Sequence, residues 1–105
     1  MQSENVIQAI RHKVKEIMPD DSTVILFGSQ ARGDAHVGSD WDVLILLSKD
    51  RVQLKDYDAY SYPLREMGWE LGEDINPILY TKKNWEKASY TPFYKNVTKE
   101  GIVLL

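Results

Sequence analysis

Thr23-Val24-Ile25-Leu26-Phe27-Gly28-Ser29 and, after ten intervening residues, Asp40-Trp41-Asp42-Val43-Leu44-Ile45-Leu46-Leu47 carry the fold and the chemistry of this chain. The first run is apolar and rich in β-branched residues, the composition of a strand buried on both faces. Gly28 breaks it. Without a Cβ, Gly28 lets the backbone approach a phosphate closely, and the Ser29 hydroxyl and the N–H groups of a short following helix can donate to phosphate oxygens. The second apolar run is a second buried strand. Asp40 and Asp42 open it two residues apart, so both carboxylates fall on one face.

Working outward, Val6, Ile7, Ile10, Val14 and Ile17 recur at helical spacing, with Ser3 as the expected N-cap and Pro19 as the stop. Residues 28–33 hold a turn and about one turn of helix, and residues 34–39 form a polar loop back to the second strand. Over residues 52–71, Tyr57, Tyr60, Leu64, Met67 and Leu71 keep helical spacing, and Pro63 bends what is read as a single helix. A third strand is expected over residues 75–80. Pro77 cannot donate a ladder hydrogen bond, which places that strand at an edge or a bulge. Two short helices follow, one around residues 84–88 and one capped by Thr91 with Pro92 at its first position and Gly101 at its end. Residues 102–105 are an apolar tail. The expected fold class is mixed α/β: a sheet of three strands or slightly more, mixed or antiparallel, with helices against it.

A length of 105 residues fits one domain. The net charge of −3 argues against the basic footprint of an autonomous DNA or RNA binder. Without cysteine there is no disulfide, thiolate metal site or cysteine nucleophile. No apolar run is long enough to span a bilayer and none resembles a signal sequence, so a soluble, cytoplasmic protein without a membrane partner is expected.

A turn suited to phosphate, joined to two convergent carboxylates, implies a nucleoside triphosphate held through a divalent ion. Mg²⁺ takes hard oxygen ligands, few from protein and several from phosphate and water, so Asp40 and Asp42 plus a triphosphate form a sensible set. The bland alternative is a turn and two polar residues at a strand's edge. Against it, two carboxylates at the mouth of an apolar strand repel each other unless a cation is present.

Phe27-Gly28-Ser29-Gln30-Ala31-Arg32-Gly33 followed by Ser39-Asp40-Trp41-Asp42 resembles the signature of the DNA polymerase beta-like nucleotidyltransferase superfamily: a hydrophobic residue, Gly-Ser, ten residues, Asp-x-Asp. The short chain resembles its minimal nucleotidyltransferases in particular. The resemblance implies that Gly28 and Ser29 bind the triphosphate, that Asp40 and Asp42 ligate Mg²⁺, and that a nucleoside monophosphate, AMP from ATP, passes to a hydroxyl of a protein or small molecule. It also implies a small helical HEPN-type partner, which members of this group neutralise as antitoxins, in some systems by adenylylation.

The superfamily usually takes a third acid from a neighbouring strand, which shares the metal and helps deprotonate the attacking hydroxyl. Here that strand opens Glu73-Asp74-Ile75-Asn76-Pro77. By period two, Asp74 and Asn76 share a face. If Asp74 reaches the metal, the catalytic triad is Asp40, Asp42 and Asp74; if Asn76 holds the position, it is a neutral, weaker ligand without basic function.

Arg32 either contacts phosphate through its planar fork or holds an aspartate of the site. Trp41 faces away from the two aspartates, into the core. His12 and His36 lack a second histidine at ligand spacing and read as exposed. Lys82 and Lys83 read as a solvated turn. Tyr57, Tyr60, Trp69, Trp85, Phe93 and Tyr94 read as core. Beside the enzyme stand two other classes of function: a partner-binding module with a vestigial site, and a nucleotide sensor that binds ATP without turning it over.

Overall fold

The computed structural model describes residues 3–105. Helix α1 (Ser3–Ile17) leads into strand β1 (Thr23–Phe27), the single-turn helix α2 (Ser29–Arg32) and strand β2 (Trp41–Leu47). A continuous helical stretch follows, made of α3 (Leu54–Asp56), a π-helical segment (Tyr57–Ser61) and α4 (Tyr62–Leu71). Strand β3 (Ile75–Thr81), helices α5 (Lys82–Lys87) and α6 (Pro92–Glu100) and strand β4 (Ile102–Val103) complete the chain. The side chain of Ser3, the expected N-cap of α1, lies outside the described residues.

The sheet runs β3-β2-β1-β4 and is mixed: β1 is antiparallel to both β2 and β4, and β2 is parallel to β3. Period two divides the strand side chains between two cores. Val24, Leu26, Trp41, Val43, Ile45, Ile75 and Leu79 pack against Val6, Ile10 and Val14 of α1 and Leu64 of α4. On the other face, Phe27, Leu44 and Leu46 pack against Trp85 of α5 and Val97 of α6, with Phe93 stacked edge-on to both Phe27 and Trp85. Every residue from Val43 to Leu47 is buried, as expected of a strand covered on both sides.

Pro77 lies on β3, an edge strand, where its missing N–H faces no neighbour. The fourth strand comes from the apolar tail. Leu104 donates to the Val24 carbonyl and Val24 donates to the Leu105 carbonyl, extending the β4 pairing along β1. Gly101 ends α6 as expected, though at φ −68, and its missing side chain serves close packing: a Cβ there would sit 2.5 Å from Ile25 Cγ2. Thr91 caps α6 by accepting from the Tyr94 N–H.

The bend expected at Pro63 is resolved upstream by the π-helical segment, in which the Tyr62 N–H reaches back to the Tyr57 carbonyl. Two core assignments are corrected. The extra residue in the wider turn shifts the inward face, so Asp56, Ser61, Leu64 and Gly68 are buried while Tyr57 is exposed, and Trp69 is exposed because it lies on the face of α4 opposite Leu64. Tyr60, Trp85, Phe93 and Tyr94 do pack as expected.

Asp56 is buried, which nothing in its sequence surroundings signals. Burial alone would push its carboxyl up, but Lys49 Nζ at 2.9 and 3.0 Å and the Gln53 N–H at 2.7 Å hold it below the ordinary carboxylate value. A depressed folded-state value means that the contribution is whole at neutral pH and is lost as pH falls through that value. Lys49→Met should therefore destabilise the protein by about 2–3 kcal/mol at pH 7 in urea unfolding, leaving a buried charge unpaired. The difference from wild type should shrink as pH falls, first as Asp56 of the variant, without its lysine, takes up a proton and then, below the ordinary carboxylate value, as Asp56 of the wild type does.

Candidate active site

β1 ends at Gly28, whose backbone lies at φ +78 and ψ −161, a region that side-chain-bearing residues avoid. The register pairs Phe27 with Asp42, so Gly28 emerges beside the Asp42 carboxylate. A Cβ at Gly28 would stand 2.5 Å from Asp42 Oδ2. Bare backbone at this point is what allows the turn and the carboxylate to share one mouth.

From Gly28 the chain enters α2. The Ala31 and Arg32 N–H groups both donate to the Gly28 carbonyl, and the earlier N–H groups of Ser29 and Gln30 have no helical acceptor. Gln30 carries no signal in the sequence, yet its Nε2 donates to the Ser39 carbonyl at 3.3 Å and ties α2 to the residue before Asp40. The loop is laced again where the Ser39 N–H donates to the His36 carbonyl and the His36 N–H donates to Ser39 Oγ. A concavity of about 400 Å³ lined by Gln30, His36, Trp41 and Glu73 adjoins this loop, but neither Asp40 nor Asp42 lines it.

Trp41 anchors the aspartates. Its indole is buried, as the sequence implies, and its Nε1 donates to Glu73 Oε1 at 2.8 Å. Its backbone N–H donates to the Asp74 carbonyl at 2.8 Å, drawing the start of β3 alongside the mouth. Glu73 thus serves the indole, and Asp74 is exposed beside the segment that carries Asp40, itself exposed. Asp42 is half-buried. Burial, and then the charge of Asp40, push its carboxyl above the ordinary value, while a hydrogen bond from Asn76 and the charge of Arg32 pull the other way.

On β3 the residue in register with Asp42 is Asn76, not an acid. Asn76 Nδ2 donates to Asp42 Oδ1 at 3.2 Å, and Arg65 Nη2 of α4 donates to Asn76 Oδ1 at 3.2 Å. The exposed guanidinium of Arg32 donates to Asp34 Oδ2 at 3.1 Å and Glu100 Oε1 at 3.0 Å, not to Asp40 or Asp42. His12 and His36 are exposed, and Lys82 donates to the Asp21 carbonyl.

Among the described residues no three His, Asp or Glu side chains are grouped to hold a metal unaided. Asp40 and Asp42 nonetheless fit a hard cation that draws its remaining ligands from phosphate and water. They are oxygen donors, mutually repelling, with one oxygen of Asp42 beside a position free of side chain.

The family described as "Nucleotidyltransferase domain" matches residues 7–104. Two proteins of Methanocaldococcus jannaschii are similar in sequence. "Putative protein adenylyltransferase MJ0604" is 36% identical over 81 residues, 77% of this chain and 75% of that protein. "Putative protein adenylyltransferase MJ0141" is 33% identical over 98 residues, 92% of this chain and 93% of that protein. Among solved structures, a chain of a toxin-antitoxin complex with AMP-PNP superposes with a TM-score of 0.65 at 23% identity, covering 94% of this chain and 72% of that one. A chain from the complex of a tri-AMPylated HEPN toxin of Shewanella oneidensis with its MNT antitoxin superposes at 0.61 and 15% identity, covering 99% and 72%. The structural likenesses support the mixed α/β fold, and the family match over nearly the whole sequence assigns the chemistry: this chain belongs to the nucleotidyltransferase domain family, enzymes that transfer a nucleotidyl group.

Proposed function

We propose that this enzyme transfers AMP from ATP, in a Mg²⁺-dependent reaction that releases pyrophosphate, to a hydroxyl of an acceptor, and that the acceptor is a small helical HEPN-type protein. The observation that carries the reading is the meeting of Gly28 and Asp42: a backbone turn open to phosphate lies directly against a half-buried carboxylate. The names of the two archaeal relatives favour AMP and a protein acceptor, and the toxin-antitoxin complexes favour a HEPN partner.

In this reading the Gly28 turn, the Ser29 hydroxyl and the N–H groups of Ser29 and Gln30 hold the triphosphate. Arg32 exchanges its two exposed carboxylate partners for phosphate oxygens. Asp40 and Asp42 hold Mg²⁺, which when bound neutralises the triphosphate and stabilises the entering and leaving oxygens. Asp74, exposed beside the mouth, takes the proton of the attacking hydroxyl.

The test is incubation of the protein with ATP, Mg²⁺ and a helical protein encoded beside it, read by the mass of the acceptor. AMP-modified acceptor is expected with Mg²⁺ and none with EDTA; Asp74→Asn should lower the rate at neutral pH about 100-fold, as loss of a general base does. An acceptor neutralised but never modified, equally well by a variant with Asp40 and Asp42 both changed to Asn, would instead support the partner-binding module. Asn76 in place of an acid beside Asp42 is the observation that favours that second reading.

A further inference from the structure

The hydrogen-bond chain Arg65–Asn76–Asp42 is not explained by the signature, and it sets a neutral residue of β3 in register with Asp42. Its polarity has one solution. A guanidinium only donates and a carboxylate only accepts, so Asn76 must turn its oxygen to Arg65 and its amide nitrogen to Asp42. The Arg65 guanidinium has no carboxylate within ion-pair distance among the described residues, so Asn76 Oδ1 is its side-chain partner. Its neighbour Leu64 is fully buried against the sheet, which fixes the backbone from which Arg65 reaches β3.

The two oxygens of Asp42 are thereby distinguished. Oδ1 is occupied by Asn76, and Oδ2 lies over the bare Cα of Gly28. We infer that Arg65, acting through Asn76, is a positioning residue that sets the Asp42 rotamer so that Oδ2 faces the phosphate turn. The pair supplies orientation to Asp42, and Asn76 takes no proton. This inference rests on the nucleotidyl-transfer reading and deepens it.

Arg65→Met keeps the aliphatic stem and removes the donor; Asn76→Ala removes the link. Each should lower kcat for AMP transfer about 10–100-fold, the range for residues that orient a metal ligand, with KM for ATP within about threefold of wild type. Each should also weaken Mn²⁺ binding about tenfold in calorimetry with a non-hydrolysable ATP analogue, with the unfolding temperature held near wild type. Arg65→Lys, which retains a donor, should recover part of the loss. Because the two residues act as one relay, the double variant should be no worse than the worse single variant.

Multiplicative losses in the double variant, or near-wild-type kcat and Mn²⁺ affinity in either single variant, would overturn the relay. A rise in transfer rate with Asn76→Asp would overturn it too, because the position would then call for an acid. If wild type transfers nothing to any acceptor, the functional reading fails, and the Mn²⁺ isotherms alone then decide whether the relay orients Asp42.

Discussion

Asp42→Asn is expected to abolish nucleotidyl transfer without harming the fold. Loss of a charged ligand at a triphosphate site removes several kcal/mol of transition-state stabilisation, so the rate should fall at least ~100-fold, measured with saturating ATP and Mg²⁺. Stability should move the other way. Burial and the neighbouring Asp40 hold the Asp42 carboxyl above its ordinary value in the metal-free protein, so the folded state binds a proton more tightly than the unfolded chain does. The stabilisation from protonation is full below the unfolded value and is lost as pH rises through the folded one. At neutral pH the ionised side chain therefore strains the mouth. A neutral Asn can still accept from Asn76 there, so in the absence of metal the variant should unfold at or above the wild-type temperature. A drop in both activity and stability would mean that Asp42 is structural.

The second large effect is expected at Gly28. Gly28→Ala forces a side chain into a backbone region reserved for glycine and drives a Cβ to within 2.5 Å of Asp42 Oδ2. The strain should cost about 2 kcal/mol, which in a domain of this size lowers the melting temperature by about 10 °C. Relief is available only if the turn or the Asp42 carboxylate moves, and either movement separates the phosphate turn from the carboxylate. Transfer should therefore fall about 100-fold even well below the melting temperature, and Mg²⁺-dependent binding of an ATP analogue should weaken with it. By contrast, Gly33→Ala meets no atom within 4 Å and strains only its backbone, so it should spare the chemistry.

Two strands and the principal mouth of the site were legible because their signals are local. A continuous apolar run bounded by glycine or aspartate defines a strand without knowledge of its neighbours, and a spacing of two residues defines a face. Pro77 likewise announces an edge, because a missing N–H has the same consequence in any fold. What escaped the sequence depends on pairing. The two-residue strand β4 exists only because β1 offers it an open side. The register that sets Asn76 beside Asp42 is a tertiary choice between neighbours two residues apart. Tyr57 looked like core because an ideal helix brings it into line with Leu64, and one π-helical turn undoes that alignment. Arg65, Gln30 and Lys49 carry no sequence signal at all, since an Arg, Gln or Lys on a polar face is ordinary until its partner is known.

In the proposed reaction the Gly28 turn and the Asp40-Asp42 pair serve transfer of a nucleotidyl group rather than simple binding of ATP. Parallel reactions with ATP labelled at the α-phosphate and at the γ-phosphate, each with Mg²⁺ and the candidate helical acceptor, test it most directly. The α label is expected to become covalently attached to the acceptor and the γ label to leave in pyrophosphate, and neither is expected with Asp42→Asn. Attachment of the γ label, or ATP bound and recovered intact with wild-type protein, would contradict it.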